Sequence, residues 1–403
     1  MRSNHFVRLF TLILLICSTS PSTVFAQDTT HRGFIFDTIC TIRATPVKHQ
    51  DNSGTCWSFA VTSFIESEII RMGGTEINLS EMYFVRNTYA DKGQHYVRMH
   101  GTSNYSAGGQ AHHGINAIKK WGFLTETAYP GLNYGENKHI HGELDEASKA
   151  FLDVVVKNPN HKVSTAWRPA FEAILDAYLG TVPTTFDWNG SKLTPMEAVK
   201  ASGFNPDDYV ELTSYSIYPF YETCALEIPD NYDLKLYYNL PINDLMEVIN
   251  YAFKKGFSVC WDGDVGNKGF SHNKGMAIVP DAETTDFTGT EKAKWEKMTG
   301  KERLKSVYSF EKPVPEKQIG QAERDTSFEN QTTTDDHLMH LTGVVKDQNG
   351  TIYYITKNSW GTESNDFGGY LNMSESYFKL NTVAILVHKD AIPKHLAKKL
   401  GIK

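Results

Sequence analysis

Cysteine is scarce in this chain, with five in 403 residues, which excludes a disulfide-stapled scaffold. Positive charge is not in excess either. Forty Lys and Arg stand against 47 Asp and Glu, a net charge of -7, so neither nucleic acid nor an anionic membrane is an expected partner. Beyond the N-terminus no stretch is long and apolar enough for a membrane span, and no internal repeat or low-complexity tract occurs. No HExxH and no paired-cysteine spacing accompanies His112-His113 or His139-Ile140-His141. These histidines therefore read as exposed helix or loop residues, with no metal and no cofactor expected.

What is present begins with Arg2 and Arg8, an apolar run over 10–17, and Val24-Phe25-Ala26. Together these read as a Sec-type signal peptide, 1–26, cleaved after Ala26. The expectation is an exported soluble protein, periplasmic or secreted. A retained anchor needs a longer run, and a lipoprotein site at Cys17 is disfavoured by the large Ile16 before it. Cleavage leaves Cys40, Cys56, Cys224 and Cys260; if one thiol must stay free, at most one disulfide can form. Only 29 residues separate Ala26 from Cys56, too few for a folded inhibitory pro-domain.

Forty per cent hydrophobic residues support a real core. Apolar residues from Trp57 to Met72 recur at three- and four-residue spacings, so the pattern predicts an amphipathic helix starting at Cys56 and stopped by Gly73-Gly74. Ser80 is the expected N-cap of a second helix, and a third runs from Gln110 to Trp121. Residues 27–135 thus form an expected N-terminal helical lobe. Residues 136–240 mix helical segments with aromatic, proline-punctuated stretches and read as a mostly helical insertion. Strand patterns dominate 241–403, expected as a β-rich lobe with a C-terminal tail. Helices first and strands later suggest an α+β fold of two lobes with a cleft between them.

Residues 50–60 carry the chemistry. Cys56 sits in the first turn of its helix, where free N–H groups and the macrodipole favour a thiolate. Such a nucleophile needs a base, a group that orients the base, and donors for the oxyanion. His337 opens one strand and Asn358 closes the next, 21 positions later, with a hairpin turn at Asp347-Gln348-Asn349-Gly350 between them. An Asn358 amide there can fix the imidazole tautomer. His340 differs from His337 by an odd number of positions and faces the other side of the sheet. Gln50 can offer its side-chain N–H beside the Cys56 backbone N–H.

Gln50-x5-Cys56-Trp57-x-Phe59-Ala60, Gly108-Gly109, His337 six positions before Gly343, and Asn358-Ser359-Trp360-Gly361 together resemble the signatures of papain-like cysteine peptidases, in that family's chain order. The resemblance implies Cys56 as nucleophile, His337 as general base and acid, Asn358 as orienter and Gln50 as oxyanion donor. Gly108 and Gly109 would line the cleft, Gly109 pairing with substrate backbone, and Trp360 would shield the His–Asn pair. His337 follows Cys56 by 281 positions, against about 130–150 in papain and the cathepsins. That gap, with Trp261-Asp262-Gly263-Asp264-Val265-Gly266, resembles the bleomycin hydrolase and aminopeptidase C branch. The resemblance implies a peptidase acting on peptides, of aminopeptidase type, with homo-oligomeric assembly; the final residues, 397–403, do not match the branch's characteristic tail. Two rival functions share the same residues: a cysteine amidase or acyl-transferase on a non-peptide amide, and a non-catalytic binding module that retains the scaffold.

Overall fold

The computed structural model describes residues 30–31, 33–283 and 289–403; the expected signal segment 1–26, with Cys17, lies outside the described residues. Helix α1 (Cys56–Arg71) is the centre of the N-terminal half. The sequence predicts an amphipathic helix, yet every residue from Cys56 to Ile69 is buried. Its apolar side joins the core through Trp57, Phe64 and Ile65, each worth about 1.5–3 kcal/mol for the transfer from water. The polar positions also turn inward, because each has a partner there. Glu66 accepts from Thr45 Oγ1 at 2.5 Å, Lys48 Nζ at 3.2 Å and the Leu79 N–H at 2.7 Å, and Thr62 donates to Glu81 at 2.7 Å.

Helices α2 (Glu81–Arg98) and α3 (Ala111–Trp121) pack on α1. Ser80 caps α2 by accepting from the Tyr83 N–H, as expected. Residues 136–240 hold α4 (Gly142–Lys157), α5 (Trp167–Leu179) and α6 (Pro195–Ser202), with α4 and α5 packed on each other and on α2. They also contribute three strands, Tyr209–Thr213, Thr223–Ala225 and Leu236–Asn239, to one edge of the large mixed sheet. The segment is therefore woven into both halves rather than added outside them. Helix α7 (Ile242–Lys254) follows and buries one face, including Leu245, Val248 and Ile249, in the second core.

The His337–Asp347 strand organises the sheet. Its first half pairs with Val259–Gly263 and its second half with Phe34–Thr41 on the same side, while Ile352–Lys357 runs antiparallel along the other. The register shift at Leu341/Gly343 makes the change of partner, and a Cβ at Gly343 would lie 2.6 Å from the Cys40 carbonyl oxygen. Only glycine allows the strands to meet there. Helix α1 packs against this strand, so the start of the helix and the start of the strand come together. Among the described residues, no helix is long and apolar enough to cross a membrane, and all four described cysteines are free.

Candidate active site

Cys56 lies at the N-terminus of α1, with Thr55 in the cap position. The Leu338 backbone N–H reaches the Cys56 sulfur. That contact brings the strand start onto the helix start, one residue from His337. His337 Nε2 lies 2.7 Å from Asn358 Oδ1, which also accepts the Ser359 N–H at 2.8 Å. An oxygen already accepting from a backbone donor fixes the direction of the other bond: Nε2 carries the proton. Nδ1 keeps the lone pair. Burial lowers the His337 pKa, against the Asn358 contact and the Asp336 charge, so the ring rests neutral and able to take a proton.

Gln50 is buried beside the pair. Its backbone N–H donates to the Ser359 carbonyl at 2.8 Å, and its Oε1 accepts from Ser359 Oγ at 2.6 Å. The amide is thereby turned with its N–H₂ unspent on that bond. Trp360 lies over the pair, its ring centroid 5.0 Å from that of His337. Gly108 and Gly109 stand next to α1: Trp57 Nε1 donates to the Ala107 carbonyl at 3.0 Å, and a Cβ at Gly109 would lie 3.0 Å from that nitrogen. The structure thus brings Gln50, Cys56, Gly108, Gly109, His337, Asn358 and Trp360 to one place.

Two expectations change here. The thiol does not gain a free thiolate from its position at a helix start. Burial pushes it up to about 12, and Asp230, Asp335 and Asp262 add to this against the Leu338 N–H. A thiolate must form by handing its proton to His337 rather than by ionising alone. Second, the Gly109 N–H, which the resemblance leaves for substrate, is held by the Asp230 carboxylate.

The paired histidines are buried, not exposed. His340 packs on α1, with Nδ1 2.8 Å from Ser63 Oγ and its ring edge-on to Phe64. His139 and His141 are buried, and desolvation lowers both. His112 and His113 lie behind the glycine ledge because α3 turns them away from solvent and onto Glu211 and Asp233. Although burial opposes charge on His112, Glu211 and Asp233 raise it to about 9; burial and the charged His112 lower His113 to about 3. His112, His113 and Asp233 converge as metal ligands would. The donor set opposes that use: His113 Nδ1 accepts the Gln110 N–H at 2.8 Å, so its Nε2 carries the proton and has no lone pair for a metal.

One residue was missed in the sequence. His272 Nδ1 accepts from Asn358 Nδ2 at 3.2 Å, and its Nε2 lies 2.7 Å from Ser364 Oγ, which donates to the Gly361 carbonyl at 2.6 Å. Burial and the His337 charge lower His272 to about 4. It thus stays neutral and holds Asn358 by its nitrogen. No spacing rule finds it, since it comes from a short loop joined to the site only by folding.

The chain matches the model of the papain family cysteine proteases over residues 36–175 and that of a peptidase C1-like family over 281–402. The first match contains Gln50, Cys56 and the glycine ledge; the second contains His337, Asn358 and Trp360. The chain is 23% identical over 418 residues to mouse bleomycin hydrolase, covering 90% of this chain and 84% of that protein. It is 22% identical over 414 residues to the mitochondrial cysteine proteinase 1 of Saccharomyces cerevisiae, covering 91% and 79%. Among solved structures, PepW of Lactobacillus rhamnosis HN001 shares the fold, with a TM-score of 0.67 and 19% identity over 91% of this chain and 84% of that one.

Proposed function

Because the chain belongs to the papain-like cysteine peptidases, with bleomycin hydrolases among its relatives, we propose that it removes N-terminal residues from peptides by a Cys56–His337–Asn358 thiol mechanism. The observation that carries this reading is the 2.7 Å contact between His337 Nε2 and Asn358 Oδ1. It leaves Nδ1 as the basic atom on the strand whose next residue touches the nucleophile.

The thiol proton moves to His337 Nδ1, and the sulfur attacks the peptide carbonyl carbon. Charge then develops on the carbonyl oxygen, where the Gln50 N–H₂ and the Cys56 N–H at the helix start stabilise it. Collapse expels the amine, which takes the proton from His337 and leaves an acyl-thioester. His337 then deprotonates a water molecule that attacks the thioester, and the restored thiol recovers its proton. Asn358 keeps the ring in one tautomer throughout, and Trp360 excludes water from the His–Asn bond.

Export is part of the same reading and rests on the N-terminal pattern at 1–26. N-terminal sequencing of protein from the extracytoplasmic fraction should begin at Gln27; protein confined to the cytoplasm with Met1 intact would refute it. For the chemistry, product analysis on a mixture of unblocked peptides should show stepwise loss of N-terminal residues, abolished in Cys56→Ala. Retention of the activity in Cys56→Ala would refute the mechanism, and exclusively internal cleavage would refute the aminopeptidase reading.

A further inference from the structure

Three carboxylates from three separate elements act on the Cys56 thiol: Asp230, Asp335 and Asp262. Asp262 lies on the Val259–Gly263 strand opposite Leu338, the residue whose N–H touches the sulfur. Asp335 sits two residues before His337 and accepts from Gln110 Nε2 at 2.8 Å. Asp230 belongs to the loop 226–235, braced by Asn231, whose side chain bonds the Leu226 and Lys235 carbonyls at 2.9 and 3.1 Å and the Lys235 N–H at 2.9 Å. The brace presses Asp230 against the glycine ledge so closely that a Cβ on Gly108 would fall 1.9 Å from Asp230 Oδ2. Asp230 takes the Gly109 N–H, with Asn104 Nδ2 at 3.2 Å and Ser106 Oγ at 3.5 Å.

This arrangement is costly for a nucleophile that must become an anion and generate an oxyanion. Lys92 is the neighbouring cation, and its ammonium is directed to the Ser106 and Gly108 carbonyls. Asp262 shows the imbalance most clearly. The residue is 2% exposed, and both of its carboxylate oxygens are buried without a hydrogen-bond donor. A buried carboxylate in that state costs free energy unless a cation or a proton meets it. Beside the cluster, a pocket of about 630 Å³ opens between the residues preceding Asp230 and those preceding Asp335, lined by Ile228, Pro229, Phe328, Thr334 and Asp335. A cationic group can approach from there.

We propose that Asp230, Asp262 and Asp335 form the subsite for the substrate's α-ammonium, and that the Asp230 loop ends the cleft at that point. The inference rests on the peptidase reading and deepens it. A longer chain would have to displace Asp230 from Gly108 and would find the Gly109 N–H taken. A free N-terminus instead brings the positive charge that the cluster lacks, next to the scissile carbonyl. Binding the right substrate then also offsets the negative field that opposes thiolate formation. Lysine and arginine side chains carry a cation too, so the test separates the two sources.

The experiment compares kcat/KM on leucine and alanine anilides, on their N-acetyl forms, and on N-acetyl-lysine and N-acetyl-arginine anilides, for the full chain and for Asp230→Asn. The expected result is that acetylation lowers kcat/KM at least tenfold in the native protein. Asp230→Asn should raise KM on free-amine substrates about tenfold and so shrink that ratio. Equal cleavage of acetylated and free substrates overturns the subsite while leaving the peptidase reading intact. Efficient cleavage of N-acetyl-lysine or N-acetyl-arginine anilides assigns the cluster to a side chain and also overturns it. No cleavage of any substrate by native protein overturns the peptidase reading and the subsite with it. If Asp230→Asn fails to fold, protection of native Cys56 from iodoacetamide decides: leucinamide should protect and N-acetyl-leucinamide should not, and equal protection refutes the subsite.

Discussion

Asn358 Nδ2 donates to His272 Nδ1 at 3.2 Å, so the residue that orients His337 is itself oriented by a second imidazole. A small rotation of the Asn358 amide would present its nitrogen, a donor, to the protonated Nε2 of His337, and the basic atom would turn from the sulfur. His272→Ala should lower kcat about 10- to 100-fold with KM little changed, the cost of a misplaced base. His272→Gln, which keeps an acceptor, should recover part of the loss. A change in KM alone, with kcat intact, would remove His272 from this positioning role.

Gln50 depends on Ser359 in a similar way. With Oε1 occupied at 2.6 Å, only the amide N–H₂ can face a developing oxyanion. Gln50→Ala should reduce kcat about 10²- to 10³-fold. Ser359→Ala should give a smaller loss, because the amide can then turn over. Steady-state kinetics on one anilide substrate measure both.

The pH profile follows from the buried pair. Burial lowers the His337 pKa below its ordinary 6.5, and the base must be neutral to act. Activity should therefore be held as pH falls to 6.5 and be lost only below it. The thiol, pushed up to about 12 by burial, should give no alkaline break near pH 8–9. A kcat/KM profile in the absence of bound amine measures this; an acid limb above pH 6.5 would contradict the assignment.

Glu126 offers a stability test away from the chemistry. Burial, reinforced by Glu81 and Glu66 against Lys48, raises its pKa from 4.5 to about 8. A carboxyl with a raised folded pKa holds its proton more tightly when folded, so its contribution is full below pH 4.5 and is lost as pH rises through about 8. Glu126→Gln should therefore raise the urea midpoint at pH 9 and change little at pH 4.5. The opposite pH trend would show the group to be ionised and paired.

Lys48 lies between Glu66, at 3.2 Å, and Glu81, at 2.5 Å. Its removal leaves two buried carboxylates without their shared cation. Lys48→Ala should destabilise the fold by about 3–5 kcal/mol by urea unfolding, with loss of activity following unfolding rather than preceding it.

Sequence reasoning recovered α1 from the spacing of Trp57, Phe64 and Ile65, the hairpin from Asp347-Gln348-Asn349-Gly350, and the opposite facing of His337 and His340 from strand parity. These features are local: helix period, turn chemistry and pleat are set by neighbours in the chain. The residues now gathered around Cys56 were likewise singled out in advance, because each belongs to a short motif. The tertiary structure alone decided that α1 is buried on all sides, that His112 and His113 face Glu211 and Asp233, that His272 holds Asn358, and that Asp230, Asp262 and Asp335 surround the thiol. Burial and charge are properties of what packs against a side chain, and here the partners come from residues tens to hundreds of positions away. No periodicity records them, so the identity of the nucleophile could be read from the chain while the field in which it works could not.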